Sequence, residues 1–140
     1  MLFEGKSICE PKQRKIVSSE HKNKHVLENP NRLDVYQYHI DGGIIPVGTQ
    51  ERRCDYLVEV IVPKKPSIYL VELKGSDIKK ALLQIEAVIC KYSLIQSYTV
   101  YPRIIANKVT THKIKDSCIR QFQKNYPNTI ITEKEYVDIV

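Results

Sequence analysis

Asp55, Glu72 and Lys74 are the residues of this chain whose types and placement can do chemistry together. Asp55 opens an apolar segment running from Cys54 to Val62, and Glu72 and Lys74 close a second one that begins at Ile68. Between the two, Pro63-Lys64-Lys65-Pro66 turns the chain, so the segments read as antiparallel strands of a hairpin. A hairpin symmetric about Lys64-Lys65 would set Asp55 opposite Lys74 and Leu57 opposite Glu72, all four pointing to one face. Two carboxylates and an ammonium gathered in this way make a site for a hard divalent cation, Mg2+ or Mn2+, which takes oxygen ligands and keeps several waters. Such an ion can polarise a phosphodiester and lower the pKa of a bound water, while Lys74 positions that water or offsets charge developing on the phosphorus. The competing reading is an exposed Glu72–Lys74 ion pair at a strand end, which would stabilise by only about 0–1 kcal/mol. Against it, Ile68-Tyr69-Leu70-Val71 leads straight into Glu72, so the carboxylate emerges from a buried strand.

The elements that must position these residues follow from patterning. The near-continuous apolar character of both segments implies burial on both faces, as in strands central to a layered sheet. Before them, the polar, lysine-rich stretch from Pro11 to Leu27 reads as a short N-terminal helix. Asn29-Pro30-Asn31 is turn chemistry, and Asp34 to Ile45 reads as a first strand, with Gly42-Gly43 marking a bulge or a close backbone approach. A loop occupies Pro46 to Gln50. After the hairpin, Ser76 caps a helix running to about Ile95, with Ile78, Leu82, Ile85, Ile89 and Tyr92 on one face. Tyr98 to Ala106 forms a fourth strand, and a strand-helix-strand unit of this length implies a right-handed parallel crossover. Asp116 to Tyr126 reads as a second helix, followed by small strands at Thr129 to Thr132 and Tyr136 to Val140. The chain is long enough for one core at 140 residues and 42% hydrophobic content, so a single domain over residues 1–140 is expected.

Asp55 within Cys54-Asp55-Tyr56-Leu57-Val58, together with Glu72-Leu73-Lys74, resembles the motif of the PD-(D/E)XK nuclease superfamily, and the resemblance covers roughly residues 34–106. It implies an α/β fold with a restriction-endonuclease-like αβββαβ core, a mixed sheet flanked by helices. It also implies that Asp55 and Glu72 bind the metal, that Leu73 lends its backbone carbonyl, and that Lys74 acts on the attacking water. Cys54 stands where the motif's name carries proline. Many members add a glutamate from the first helix, for which Glu20 is the first candidate here and Glu28 the second; Asp41 is a third acidic candidate. Some branches use a helix glutamine with a tyrosine four residues on; Gln84 matches the first, while Val88 takes the place of the second.

Other features narrow the function. A net charge of +6 and a pI near 9.1 favour polyanionic partners. Cys9, Cys54, Cys90 and Cys118 lack CxxC or zinc spacing, and His21, His25, His39 and His112 lack paired-ligand spacing, so packing roles are expected for both sets. No phosphate-cradling glycine loop appears. There is no run of roughly eighteen apolar residues and no apolar centre near the N-terminus, so a soluble cytoplasmic protein without a membrane partner is expected. The combined expectation is an Mg2+- or Mn2+-dependent nuclease acting on nucleic acid, DNA before RNA, as a homodimer because cleaving both strands needs two sites. The alternative is a nuclease-fold module that binds nucleic acid or a protein without cutting, or a subunit active only with a partner chain.

Overall fold

The apolar runs flanking the two prolines pair as expected. In the computed structural model, which describes residues 1–46, 48, 54–73, 75–110 and 116–140, they form β4 (Tyr56–Val60) and β5 (Ser67–Glu72). All six residues of β5 are buried, as its two-sided apolar pattern requires. With β3 (Val35–His39), β6 (Thr99–Ala106) and β7 (Ile130–Glu133) they make a mixed five-stranded sheet in the order β3-β4-β5-β6-β7. β3, β4 and β5 form an antiparallel meander, and β6 joins β5 in parallel, as the intervening helix predicted. β7 extends the parallel half.

The helix between β5 and β6, α1 (Ile78–Lys91), buries Ile78, Leu82, Ile85 and Ile89 at helical spacing. Its cap is Asp77 rather than Ser76, because the Asp77 carboxylate accepts the Lys80 N–H at 3.1 Å. It ends at Lys91, and a 3-10 turn (Ser93–Ser97) completes the segment predicted to be helical to Ile95. α2 (Ser117–Asn125) is capped by Asp116, which accepts the Cys118 N–H at 2.8 Å. Both helices pack on one face of the sheet, where Leu57, Ile68, Leu70 and Ile104 share a core with Leu82, Ile85 and Phe122. Among the described residues no helix is long and apolar enough to cross a membrane.

The other face carries a second sheet instead of the expected N-terminal helix. β1 (Lys15–Glu20) and β2 (Asn23–Glu28) form an antiparallel hairpin, joined in parallel by β8 (Glu135–Ile139). Ile16 and Leu27 from this layer pack with Val58, Tyr69, Val71 and Ile105. The protein is therefore α/β, and among the described residues a second sheet lies where the expected N-terminal helix would flank the first, which corrects that part of the expectation. The hairpin escapes a periodicity reading because Ser18, Asn23 and His25 occupy buried positions where apolar residues would mark the alternation. Its turn is also atypical: His21 and Lys22 both take positive φ, 49° and 68°, where Asn-Gly is the usual pair.

Two further boundaries differ. The first strand stops at His39 instead of reaching Ile45, because the chain folds back there: the Ile44 N–H donates to the His39 carbonyl at 2.9 Å. Gly43 permits that approach, since a Cβ would lie 2.0 Å from the His39 oxygen. In the β4–β5 hairpin, Val60 pairs with Ser67 and Tyr56 with Val71, two residues away from the symmetric register. Pro66 has no N–H to pair, and its carbonyl is taken by the Thr99 N–H of the neighbouring strand at 2.9 Å, so Ser67 is the first residue free to join the ladder.

A buried ionic network ties the two sheets together. Arg103 on β6 grips Asp138 on β8 bidentately, Nε to Oδ2 at 2.7 Å and Nη2 to Oδ1 at 2.9 Å. His25 Nε2 lies 2.7 Å from Asp138 Oδ2, and Arg103 lies over the rings of Tyr69, Tyr101 and Tyr136. Burial raises the Asp138 pKa, but hydrogen bonds from His25 and Arg103 and the guanidinium charge more than reverse it, leaving the pKa below its ordinary value of 3.8. A lowered carboxyl pKa contributes stability that is complete above the unfolded-state value and lost as pH falls through the folded one. Acid unfolding of the wild type should therefore steepen below about pH 4, and D138N should flatten that limb when stability is followed by denaturant titration. D138A strands a buried guanidinium and should cost about 3 kcal/mol at neutral pH. At the hairpin tip, K22G removes a left-handed non-glycine residue and should raise stability by about 1 kcal/mol, read as an increase in Tm.

Candidate functional site

The two-residue shift in register moves Glu72 toward Asp55. The β4–β5 ladder closes at Tyr56 and Val71, so the next residues, Asp55 and Glu72, lie opposite each other in register just past it, while Glu72 still pairs with Ile104 of β6. Glu72 follows the same alternation as Ile68 and Leu70, and Asp55 the same as Leu57, which puts both carboxylates on the helix-covered face. Each is only 1% exposed. Glu72 is therefore buried at the strand end rather than exposed there.

Backbone groups hold Asp55 in place. Its N–H donates to the Val71 carbonyl at 3.0 Å, its carbonyl accepts the Ile40 N–H at 2.9 Å, and its Oδ2 accepts the Leu73 N–H at 2.9 Å. The carboxylate thus supplies the bond that a further ladder residue would have made, and it ties itself to the residue following Glu72. The Cys54 thiol reports the charge gathered there: burial pushes its pKa well up, and the negative fields of Glu72 and then Asp55 push it further.

The remaining expected residues sort by position. Lys74 lies outside the described residues, as do His112 and most of the loop at 46–50. Leu73 directs its carbonyl to Asn23, whose Nδ2 donates at 2.6 Å; a carbonyl oxygen has a second lone pair for another partner. Glu20 sits on a strand rather than a helix, at the tip of β1, 3.8 Å from His21 Nε2. Its charge reaches the same end of the sheet, because the Tyr56 hydroxyl pKa is raised by burial, then by Glu20, then by Asp55. Glu28 pairs with Lys15 at the opposite end of the hairpin, five residues or roughly 17 Å along the strand, so it cannot join the site. Asp41 begins the turn after β3, next to Ile40 whose N–H binds the Asp55 carbonyl. Gln84 lines a cleft of about 420 Å3 with His21, Gly75, Asp77 and Lys80, between the hairpin tip and the start of α1.

The buried acid that the sequence reading passed over is Glu59. Tyr38 and Tyr98 donate their hydroxyls to it, and the Leu2 N–H donates at 2.8 Å. Both phenol pKa values are raised, chiefly by burial, and the cluster anchors the N-terminal segment on the sheet. An acidic residue inside the apolar run Leu57-Val58-Glu59-Val60-Ile61 was the available signal.

Among the described residues no group of three or more His, Cys, Asp or Glu side chains is arranged to hold a metal ion. The groups that could hold one at this end of the sheet are two carboxylates and a backbone carbonyl, all hard oxygen. Such a set suits Mg2+ or Mn2+, whose remaining positions water and phosphate oxygens would fill, and does not suit a softer ion that needs thiolate or imidazole. Comparison of the chain with protein-family models, with curated proteins and with solved structures returned no match.

If the two carboxylates share a cation, Mn2+ at about 100 times its Kd should stabilise the fold by about 2.7 kcal/mol, seen as a rise in Tm over an EDTA control. E72Q and D55N should abolish that rise; D55N is the cleaner variant because the amide oxygen can still accept the Leu73 N–H. An unchanged wild-type Tm across millimolar Mn2+ would count against a metal centre.

Proposed function

We propose that this protein is a metal-dependent nuclease of the PD-(D/E)XK type, hydrolysing nucleic-acid phosphodiesters and acting on DNA as an endonuclease. The observation carrying this reading is the meeting of two buried carboxylates, Asp55 and Glu72, at the end of β5, with the peptide of Leu73 between them and the Lys74 position. Support also comes from topology. An antiparallel meander, a helix and a parallel fourth strand follow the βββαβ order that such a core would have, with the β1–β2 hairpin where its leading helix would stand. The net charge of +6 favours a polyanionic substrate.

In this reading Asp55 and Glu72 hold Mg2+ or Mn2+, and Leu73 offers the free lone pair of its carbonyl. When bound, the ion supplies Lewis-acid polarisation of the scissile phosphate and lowers the pKa of an attacking water. Lys74 orients that water and balances charge on the phosphorus. Lys80, Gln84 and His21 line the adjoining cleft, where a substrate strand passes beside α1. Glu20 contributes negative charge from the hairpin side. Buried Asp55 and Glu72 keep the reacting region apart from bulk water, which strengthens their hold on a cation. Cutting both strands of a duplex requires two such sites, and a homodimer supplies them.

Purified protein should cut plasmid, linear or branched DNA with Mg2+ or Mn2+ and not with EDTA, and the same panel should include RNA. K74A should reduce the rate by about 100-fold or more while circular dichroism stays unchanged. Binding without cleavage on every substrate and with either metal would instead support the non-cutting module.

A further inference from the structure

The segment that carries Lys74 is held from outside its own strand. Leu73 and Gly75 flank that position, and each offers a carbonyl to an asparagine. Asn23, the first residue of β2 and 2% exposed, donates from Nδ2 to the Leu73 carbonyl at 2.6 Å. The same amide donates to Asn107 Oδ1 at 2.9 Å, and the Asn107 N–H donates to the Gly75 carbonyl at 3.2 Å. Asn107 directly follows β6, the parallel neighbour of β5. One amide thus links the second sheet to the C-terminal ends of two adjacent parallel strands, the edge at which open α/β sheets place their ligand crevices.

We propose that Asn23, braced by Asn107, is a positioning residue for the metal-binding end of β5. Its hydrogen bond fixes one lone pair of the Leu73 carbonyl and so aims the other, while Asp55 fixes the N–H of the same residue. With its N–H bonded to the Asp55 carboxylate and its C=O to the Asn23 amide, Leu73 is oriented by two side chains before any ion arrives. A chain end without these bonds would fray, as strand ends generally do. This inference rests on the metal-dependent reading of Asp55 and Glu72, and it adds that the β1–β2 hairpin is part of the site's geometry.

Mn2+ binding to metal-stripped protein, followed by the loss of the free-ion signal in electron paramagnetic resonance, tests this without reference to turnover. N23A should weaken Mn2+ binding by about 10-fold to 100-fold, as loss of a group that orients a ligand does. N107A, at an exposed residue that leaves the core intact, should weaken it by a smaller factor in the same direction. N29A is the matched control: Asn29 is equally buried at the other end of β2 and bonds Gln13 and Leu33, so it should lower Tm and leave Mn2+ affinity unchanged. Wild-type affinity in both N23A and N107A, or equal losses in N29A, would overturn the positioning role while the metal site stands. No Mn2+ binding by the wild type would overturn the metal reading and this one with it. Should N23A fail to fold, N107A against N29A decides.

Discussion

Two carboxylates withdrawn from water at one end of one hairpin are the constraint around which this fold is arranged. Asp55 and Glu72 are both buried. Two like charges about 4 Å apart would repel by about 4 kcal/mol at an effective dielectric of roughly 20, and backbone groups of neighbouring segments fix where the two residues lie. Ile40, just after β3, does so through its N–H on the Asp55 carbonyl, β5 and the residue after it through the Val71 carbonyl and Leu73 N–H, and β2 through Asn23 on the Leu73 carbonyl. A cation shared by the two would turn that repulsion into attraction, which is the physical content of the nuclease reading.

The second sheet has two tasks. Its strands β8 and β2 are joined to β6 by the Arg103–Asp138–His25 network, with tyrosine rings against the guanidinium. At the first residue of β2, Asn23 reaches across to the residues after β5 and β6. The hairpin is thereby anchored by charge and connected to the candidate site by an amide. Its turn, with two non-glycine residues at positive φ, brings His21 to the cleft that Lys80 and Gln84 share. Backbone strain of about 1–3 kcal/mol per such residue persists only where surroundings hold it.

Much of the larger sheet could be read from residue types alone. β4, β5, α1, β6, α2 and β7 declare themselves through unbroken apolar runs, helical spacing and aspartate caps, because in these elements burial and hydrophobicity coincide. They do not coincide in β1 and β2, where Ser18, Asn23 and His25 are buried through hydrogen bonding and ionic contacts to residues far away in sequence. A lysine-rich stretch with few apolar anchors then resembles a helix. Asp138 and Arg103 are likewise invisible as a pair, since nothing local relates residues on β6 and β8. The register of the central hairpin shows how a partly wrong premise can keep a sound consequence. A shift of two residues leaves every side chain on its expected face, and it brings Glu72 level with Asp55 instead of two residues away.

The position of a bound ion tests the account most directly. Crystals soaked in Mn2+ and measured at a wavelength where manganese scatters anomalously should give one strong peak touching a carboxylate oxygen of Asp55 and one of Glu72, each about 2.1–2.2 Å away, with the Leu73 carbonyl adjacent. A fully substituted soak that leaves the space between those two carboxylates without anomalous density, or that places the ion elsewhere, would contradict it.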